Sequence, residues 1–228
     1  MTGPVVGHGT GRDGAPLAAL VFDLDGTLVD SLADIVGSFR DAVAEGGVPA
    51  PSEAEVAALI GAPLEAMAGR FTSDPATVRA VCDAYRRIYP TRFARSTRPF
   101  PGVREVLDAL RGRGWALTVA TTKRTDMARR LTDALDLTRQ LDHVQGTDDG
   151  VPHKPAPDVV LRAAAAVGAE ARWMIGDTVT DLQAGRAAGL RTYAVTWGTH
   201  DAQRLANERP NVLADDLDGL LEAVGRPD

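Results

Sequence analysis

Short apolar runs alternate with amphipathic stretches over most of the chain. Residues 17–23 (LAALVFD) form a nearly continuous apolar run of strand length. Similar runs recur at 115–121 (WALTVAT), 173–176 (WMIG) and 192–197 (TYAVTW), with shorter ones at 143–146 and 211–213. Runs of this kind suit strands buried on both faces of a parallel sheet. Between them, apolar residues recur at helical spacing. Val103, Val106, Leu107 and Leu110 share one face, Met127, Leu131 and Leu135 another, and Val160, Ala164 and Val167 a third, while Leu217, Leu220 and Leu221 close the chain. Strands alternating with helices imply βαβ units and an α/β fold with a doubly wound parallel sheet. In such sheets ligands bind beyond the carboxyl ends of the strands, so chemistry is to be sought there.

The alternation stops between residues 31 and 96. Leu32, Ile35, Val36, Phe39 and Val43 make a helix stripe that Gly46-Gly47 ends. Ser52 and Glu55 have the spacing of a capping box, and Asp74-Pro75 opens a further helix with Val78, Val81, Cys82 and Tyr85 on one side. This all-helical insertion reads as a second, smaller domain over 31–96, with 17–30 and 97–228 forming the main one. Residues 97–102 (TRPFPG) are the return linker. Residues 1–16 are Gly-rich and read as a flexible N-terminal tail. They have neither the basic start nor the apolar stretch of a signal peptide.

Composition narrows the classes of partner. The 228 residues carry 25 Lys plus Arg against 31 Asp plus Glu, a net charge of -6. That balance argues against a nucleic-acid partner held by phosphate neutralisation. No apolar run approaches the roughly 20 residues that span a bilayer, and the one cysteine, Cys82, cannot form an internal disulfide. A cytoplasmic protein with no nucleic-acid and no membrane partner is expected; a homodimer stays open. Only two of the basic residues are lysines, Lys123 and Lys154. In a chain that otherwise uses Arg, a Lys marks a place where a compact ammonium is wanted and a planar fork does not fit.

The strand ends carry the candidate chemistry. The first run ends in Asp23-Leu24-Asp25-Gly26-Thr27. Residues two apart on a strand point the same way, so both carboxylates are expected at one site. At about 6 Å and an effective dielectric near 20 they repel by roughly 3 kcal/mol unless a cation offsets it. A turn-stabilising role accounts for one of these aspartates and poorly for two. A second acidic pair, Asp177 and Asp181, stands at the end of the 173–176 run. An ordinary reading is available here, with Asp177 as an N-cap and Asp181 in the first helical turn. Four carboxylates at one sheet edge offer hard oxygen ligands that suit Mg²⁺. Thr121-Thr122-Lys123 ends another run, and Lys154 stands in His153-Lys154-Pro155-Ala156-Pro157-Asp158. Acids with a divalent cation, hydroxyls and a Lys suit the holding of a phosphoryl group and its transfer.

Residues 23–31 (DLDGTLVDS) resemble the first motif of the haloacid dehalogenase superfamily. Thr121 resembles its second, Lys154 in Lys-Pro-Ala-Pro-Asp its third, and Gly176-Asp177-Thr178 through Asp181 its fourth. The group it is most similar to is the phosphoglycolate phosphatase-like hydrolases. The resemblance implies a Rossmann-like doubly wound core with an all-helical cap domain at 31–96 that opens and closes over the site. It also implies roles. Asp23 is the nucleophile that forms an aspartyl-phosphate, and Asp25 is the general acid and then base. Thr121 and Lys154 hold the phosphoryl oxygens, with Thr122 beside them where an Asn often stands in that group. Mg²⁺ is held by Asp23, the main-chain carbonyl of Asp25 and Asp177, with Asp181 acting through water or a neighbouring ligand.

Residue types choose among branches of the superfamily. Dehalogenases lack an acid at the position of Asp25. Phosphonatase-like members need a cap lysine, and mutases of the β-phosphoglucomutase kind typically use a cap His and Lys; residues 31–96 contain neither type. A Mg²⁺-dependent phosphatase acting on a small-molecule phosphate ester is therefore expected. A sugar-phosphate mutase and a catalytically silent phosphate-binding regulator are the alternatives. The leaving group stays open. Cap arginines (Arg40, Arg70, Arg79, Arg86, Arg87, Arg92, Arg95) include candidate clamps for a substrate carboxylate or second phosphate. His8, His143, His153 and His200 have no metal-ligand spacing. Cys82, Trp115 and Trp173 read as core packing, and Trp197-Gly198 is a candidate border of the site.

Overall fold

The computed structural model describes residues 18–148 and 150–227. The tail expected at 1–16 lies outside the described residues, as does Leu17. The described chain begins with β1 (Ala18–Phe22). A two-residue strand β2 (Val29–Asp30) leads to four helices, α1 (Leu32–Glu45), α2 (Glu53–Ala57), α3 (Leu64–Ala68) and α4 (Pro75–Ile88), and the chain returns through β3 (Arg98–Pro99). It then alternates α5 (Val103–Gly112), β4 (Ala116–Ala120), α6 (Thr125–Ala134) and β5 (His143–Gln145) with α7 (Asp158–Ala166), β6 (Glu170–Gly176) and α8 (Val179–Ala187). The last elements are β7 (Arg191–Val195), α9 (Ala202–Asn207), β8 (Val212–Ala214) and α10 (Asp218–Val224).

Six strands form one sheet in the order β5-β4-β1-β6-β7-β8, with every pairing parallel. All five residues of β1 are buried, as expected for the middle of a doubly covered sheet. Alternation along β1 divides the core. Leu20 and Phe22 pack with apolar residues of α5, α6 and α10, whereas Val21 packs with those of α7 and α8. The order of connection reverses beside β1: the chain builds β4 and β5 on one side, then crosses to β6 on the other. Ligand sites form at such reversals.

Local chemistry accounts for the helical insertion. Ser52 and Glu55 form the expected capping box, and Asp74 caps α4 by accepting from Ala76 N and Thr77 N, with Pro75 in the first turn. Phe39, Val43, Val56, Val81 and Cys82 share a hydrophobic cluster of their own. Two details depart from the sequence pattern. Leu32, at the first position of α1, is 45% exposed because it lies outside the stripe that Ile35, Val36, Phe39 and Val43 bury. The return linker contains a strand, since Arg98–Pro99 pairs antiparallel with Val29–Asp30. Proline hides that strand in the sequence, yet it is tolerated where the sheet has only two strands and its missing N–H is not needed. No helix among the described residues is long and apolar enough to cross a membrane.

Asp34 ties the two crossings together. Its buried carboxylate accepts from Ser96 N, Ser96 Oγ at 2.7 Å, Thr97 N at 3.0 Å and Thr97 Oγ1 at 2.8 Å. Burial pushes its pKa up, but the hydrogen bonds from Ser96 and Thr97 outweigh that and hold it below the ordinary carboxylate value. Asp34→Ala should cost about 2–3 kcal/mol by equilibrium unfolding, because it strands buried donors. A depressed folded-state pKa means that the stabilisation is complete above the ordinary carboxylate pKa, about 3.9, and is lost as pH falls through the lower folded value. The stability gap between wild type and Asp34→Ala should therefore be constant near neutrality and shrink below about pH 4; a gap independent of pH would refute this account.

Candidate active site

Asp23 follows β1 directly, and its main-chain N–H donates to Ile175 O at 2.8 Å, fixing the strand end against β6. The residue is 6% exposed. Asp177 ends β6 in the corresponding place. Lys154, 3% exposed, reaches across from the segment before α7. Its Nζ donates to Asp23 Oδ1 at 2.6 Å, Asp181 Oδ1 at 2.5 Å and Ala120 O at 2.9 Å. Burial works against the charge on Lys154, but Asp181 and Asp23 more than offset it and push its pKa up. It is a fixed cation.

Asp23, Asp177 and Asp181 each bring a carboxylate oxygen within 4.8 Å of the others. The carboxylate of Asp25 lies on the same cavity but outside that cluster. Asp25 Oδ1 accepts from Ser31 Oγ at 2.6 Å, and its Oδ2 lies 3.1 Å from Lys123 Nζ. β1 ends at Phe22, so period-two alternation does not govern Asp25 in the turn beyond it. The capping assignment also differs. Thr178, not Asp177, caps α8; its hydroxyl accepts from Asp181 N, and Asp181 Oδ2 accepts from Thr178 N at 2.9 Å. That frees Asp177, whose Oδ1 accepts from Thr27 Oγ1 at 2.8 Å and whose Oδ2 accepts from Thr199 N at 2.7 Å.

Two glycines let the loops close on this carboxylate. Gly26 has φ +87 and Gly198 follows Trp197; a Cβ on either would overlap the Asp177 side chain. Trp197 Nε1 donates to Thr27 O at 3.2 Å, bracing the same turn.

The end of β4 supplies the opposite wall. Thr121 is 1% exposed, and its Oγ1 accepts from Lys123 N at 3.2 Å. Thr121, Thr122 and Lys123 all line the cavity that also meets Asp23 and Asp25. Lys123 Nζ bridges Asp25 and the Tyr89 hydroxyl, 2.8 Å away, and sits 4.4 Å from the centre of the Tyr89 ring. Its burial disfavours the charge, but Asp25 and Tyr89 push its pKa up regardless. The scarcity of lysine marked Lys123 in the sequence, but nothing there showed its partners. Thr27 and Ser31 stood inside the first motif with no side-chain role, and Thr199 and Tyr89 carried no signal.

The family model for haloacid dehalogenase-like hydrolases matches residues 20–195. The chain belongs to that family. Among relatives of this hydrolase, a Dickeya dadantii protein named "Probable phosphatase IndB" is 36% identical, with 90% of this chain and 92% of that one covered. A phosphoglycolate phosphatase of Agrobacterium fabrum is 32% identical over 94% of both chains. A haloacid dehalogenase-like family hydrolase from Streptococcus pneumoniae has the same fold, at a TM-score of 0.83 and 29% identity over 91% of this chain and 98% of that one. The named relatives make this haloacid dehalogenase-like hydrolase a phosphatase.

Charge tests whether the hydrolase's site suits Mg²⁺. Three buried carboxylates face one buried ammonium, an excess of two negative charges among Asp23, Asp177, Asp181 and Lys154. Burial pushes the pKa of Asp23 well up; Lys154 pulls it back, and Asp181 and Asp177 raise it again. Asp177 is pushed up to about 6 by burial and by Asp181, against hydrogen bonds from Thr199 and Thr27. A divalent cation offsets that excess, and the donors are hard oxygens of the kind Mg²⁺ takes. The residues fit the ion.

Saturating Mg²⁺ should therefore stabilise the protein. At a hundredfold excess over the dissociation constant the gain is about 2.7 kcal/mol, or a rise of roughly 5–10 °C in Tm for a chain of this size. Differential scanning calorimetry of wild type and Asp177→Asn checks this: the shift should be large in the first and small in the second. Equal shifts in both would place the ion elsewhere.

Proposed function

We propose that this hydrolase cleaves a small phosphomonoester through an aspartyl-phosphate at Asp23, with Mg²⁺ as cofactor. The observation that carries the reading is the buried Lys154 bridging Asp23 and Asp181. It aligns one carboxylate and leaves Asp23 Oδ2 without a hydrogen bond among the described residues. Asp23, Asp177 and the main-chain carbonyl of Asp25 hold the ion, and Asp181 orients Lys154 beside them. When bound, Mg²⁺ neutralises the carboxylates and the incoming phosphate and polarises the phosphoryl oxygens.

The chain's own residues supply the rest. Thr121, Thr122 and Lys154 bind the transferring phosphoryl group. Asp23 Oδ2 bonds to phosphorus as the ester P–O bond breaks, and Asp25 gives its proton to the leaving oxygen. Asp25, now ionised between Ser31 and Lys123, takes a proton from water. That water attacks phosphorus, the bond to Asp23 breaks, and phosphate leaves. Residues 31–96 act as a cap whose closure excludes water, hinged at the β2–β3 ribbon. The mutase alternative gains nothing from a cap without Lys or His or from relatives named phosphatases. A silent regulator would have no need of the complete set of groups. The free, buried Cys82 calls for no oxidising compartment, which suits a cytoplasmic enzyme.

The test is Mg²⁺-dependent phosphate release across small phosphomonoesters. Asp25→Asn should lower kcat by about 10²–10⁴-fold, the usual weight of a general acid–base group. Asp23→Asn should abolish turnover with the circular dichroism spectrum retained. Wild-type turnover in a folded Asp23→Asn would overturn the mechanism.

A further inference from the structure

The space between α1–α4 and the strand ends is an open cleft of about 700 Å³. Pockets of about 300–1,000 Å³ take drug-sized ligands; the glycolate part of phosphoglycolate would leave most of this one empty. Ile60, Leu64 and Met67 from the helical insertion and Met127 from α6 form much of its wall. Ile60, Met67 and Met127 are buried. Tyr85 and Tyr89, stacked at 5.2 Å with 9° between their planes, complete that side. Thioethers and tyrosine rings make favourable contacts with planar groups.

Most of the charged groups in the wall are already engaged. Arg86, the one cap arginine lining the cavity, is bound to Glu65 at 2.5 Å and to Asp83 at 3.4 Å. Arg124 pairs with Asp126 at 3.4 Å, and Arg130 lies over the Phe93 ring at 5.0 Å. Lys123 is held by Asp25 and Tyr89. Burial lowers the pKa of His153, against the pull of Glu65. Glu65 stands in the same wall and disfavours an anion beside Arg86.

Resting on the phosphatase reading above, we propose that the leaving alcohol is neutral and ring-sized, bearing an aryl or heteroaryl group, and is not a small carboxylic acid. The cavity's apolar wall takes the ring while Asp23 and Asp25 face the phosphoryl end.

Two pairs of probes test this with alkyl leaving oxygens on both sides. The first is kcat/KM for 2-phenylethyl phosphate against phosphoglycolate at saturating Mg²⁺. The second, independent of turnover, is the calorimetric dissociation constant of 3-phenylpropylphosphonate against 3-phosphonopropionate. Burial of a phenyl ring predicts a preference of at least about tenfold for the aryl member of each pair. Leu64→Trp, which fills the cavity from a half-buried position, should reduce that preference at least about fivefold. Equal or better turnover and binding of the carboxylates would overturn the leaving-group assignment while leaving the phosphatase intact. No turnover of either ester by folded, Mg²⁺-loaded protein would overturn both readings.

Discussion

The ammonium of Lys154 donates at once to the end of β1, the end of β4 and the first turn of α8, through Asp23, the Ala120 carbonyl and Asp181. Few side chains could do this. An arginine fork presents its donors in one plane, whereas a lysine directs three around a point. Removing one partner of such a buried pair leaves an uncompensated charge, at a cost of about 3–5 kcal/mol. The surrounding structure has to make room for the bridge, and it does so through residues with no chemistry of their own: Gly26 and Gly198 draw two loops onto Asp177, and Thr27 and Thr199 each donate to one of its oxygens. The electrostatic tension that remains, with two negative charges in excess, makes the site receptive to a divalent cation.

The sheet makes that bridge geometrically available. Strands β1, β4 and β6 are neighbours and run the same way, so their carboxyl ends deliver Asp23, Thr121 and Asp177 to one edge. The switch in connection order beside β1 opens that edge, and the helical insertion returns over it through a two-stranded ribbon. Asp34 fastens the ribbon's exit to its return. Lys123 then extends the network upward: it holds Asp25 from the core and touches Tyr89 from the insertion. Asp25 and the cavity's aromatic wall thus share one cation.

Much of this was legible in the chain. Continuous apolar runs located the strands because strands buried on both faces admit few polar residues, and their ends located Asp23, Thr121 and Asp177. The capping box at Ser52 and the cap at Asp74 were readable because those interactions span three residues. What escaped depended on distance in sequence. Asp25 does line the same cavity as Asp23, but its partners Ser31 and Lys123 could not be read from strand alternation, because β1 ends at Phe22. Asp177 had the look of an N-cap, and only the fold shows Thr178 in that place. Thr199 donates through its main chain, which no residue type reveals. The pairing of Arg86 with Glu65, twenty-one positions away, turned a candidate clamp into part of the cavity wall.

The central claim is that Asp23 carries the phosphoryl group, and its most direct measurement is chemical. Enzyme quenched in acid during turnover is reduced with borohydride, which converts an acyl phosphate to an alcohol, and the peptides are mapped by mass spectrometry. The account predicts homoserine at position 23, formed only with substrate and Mg²⁺ present. Active enzyme whose Asp23 remains unmodified, or whose modification falls on Asp25 or Asp177, would contradict it.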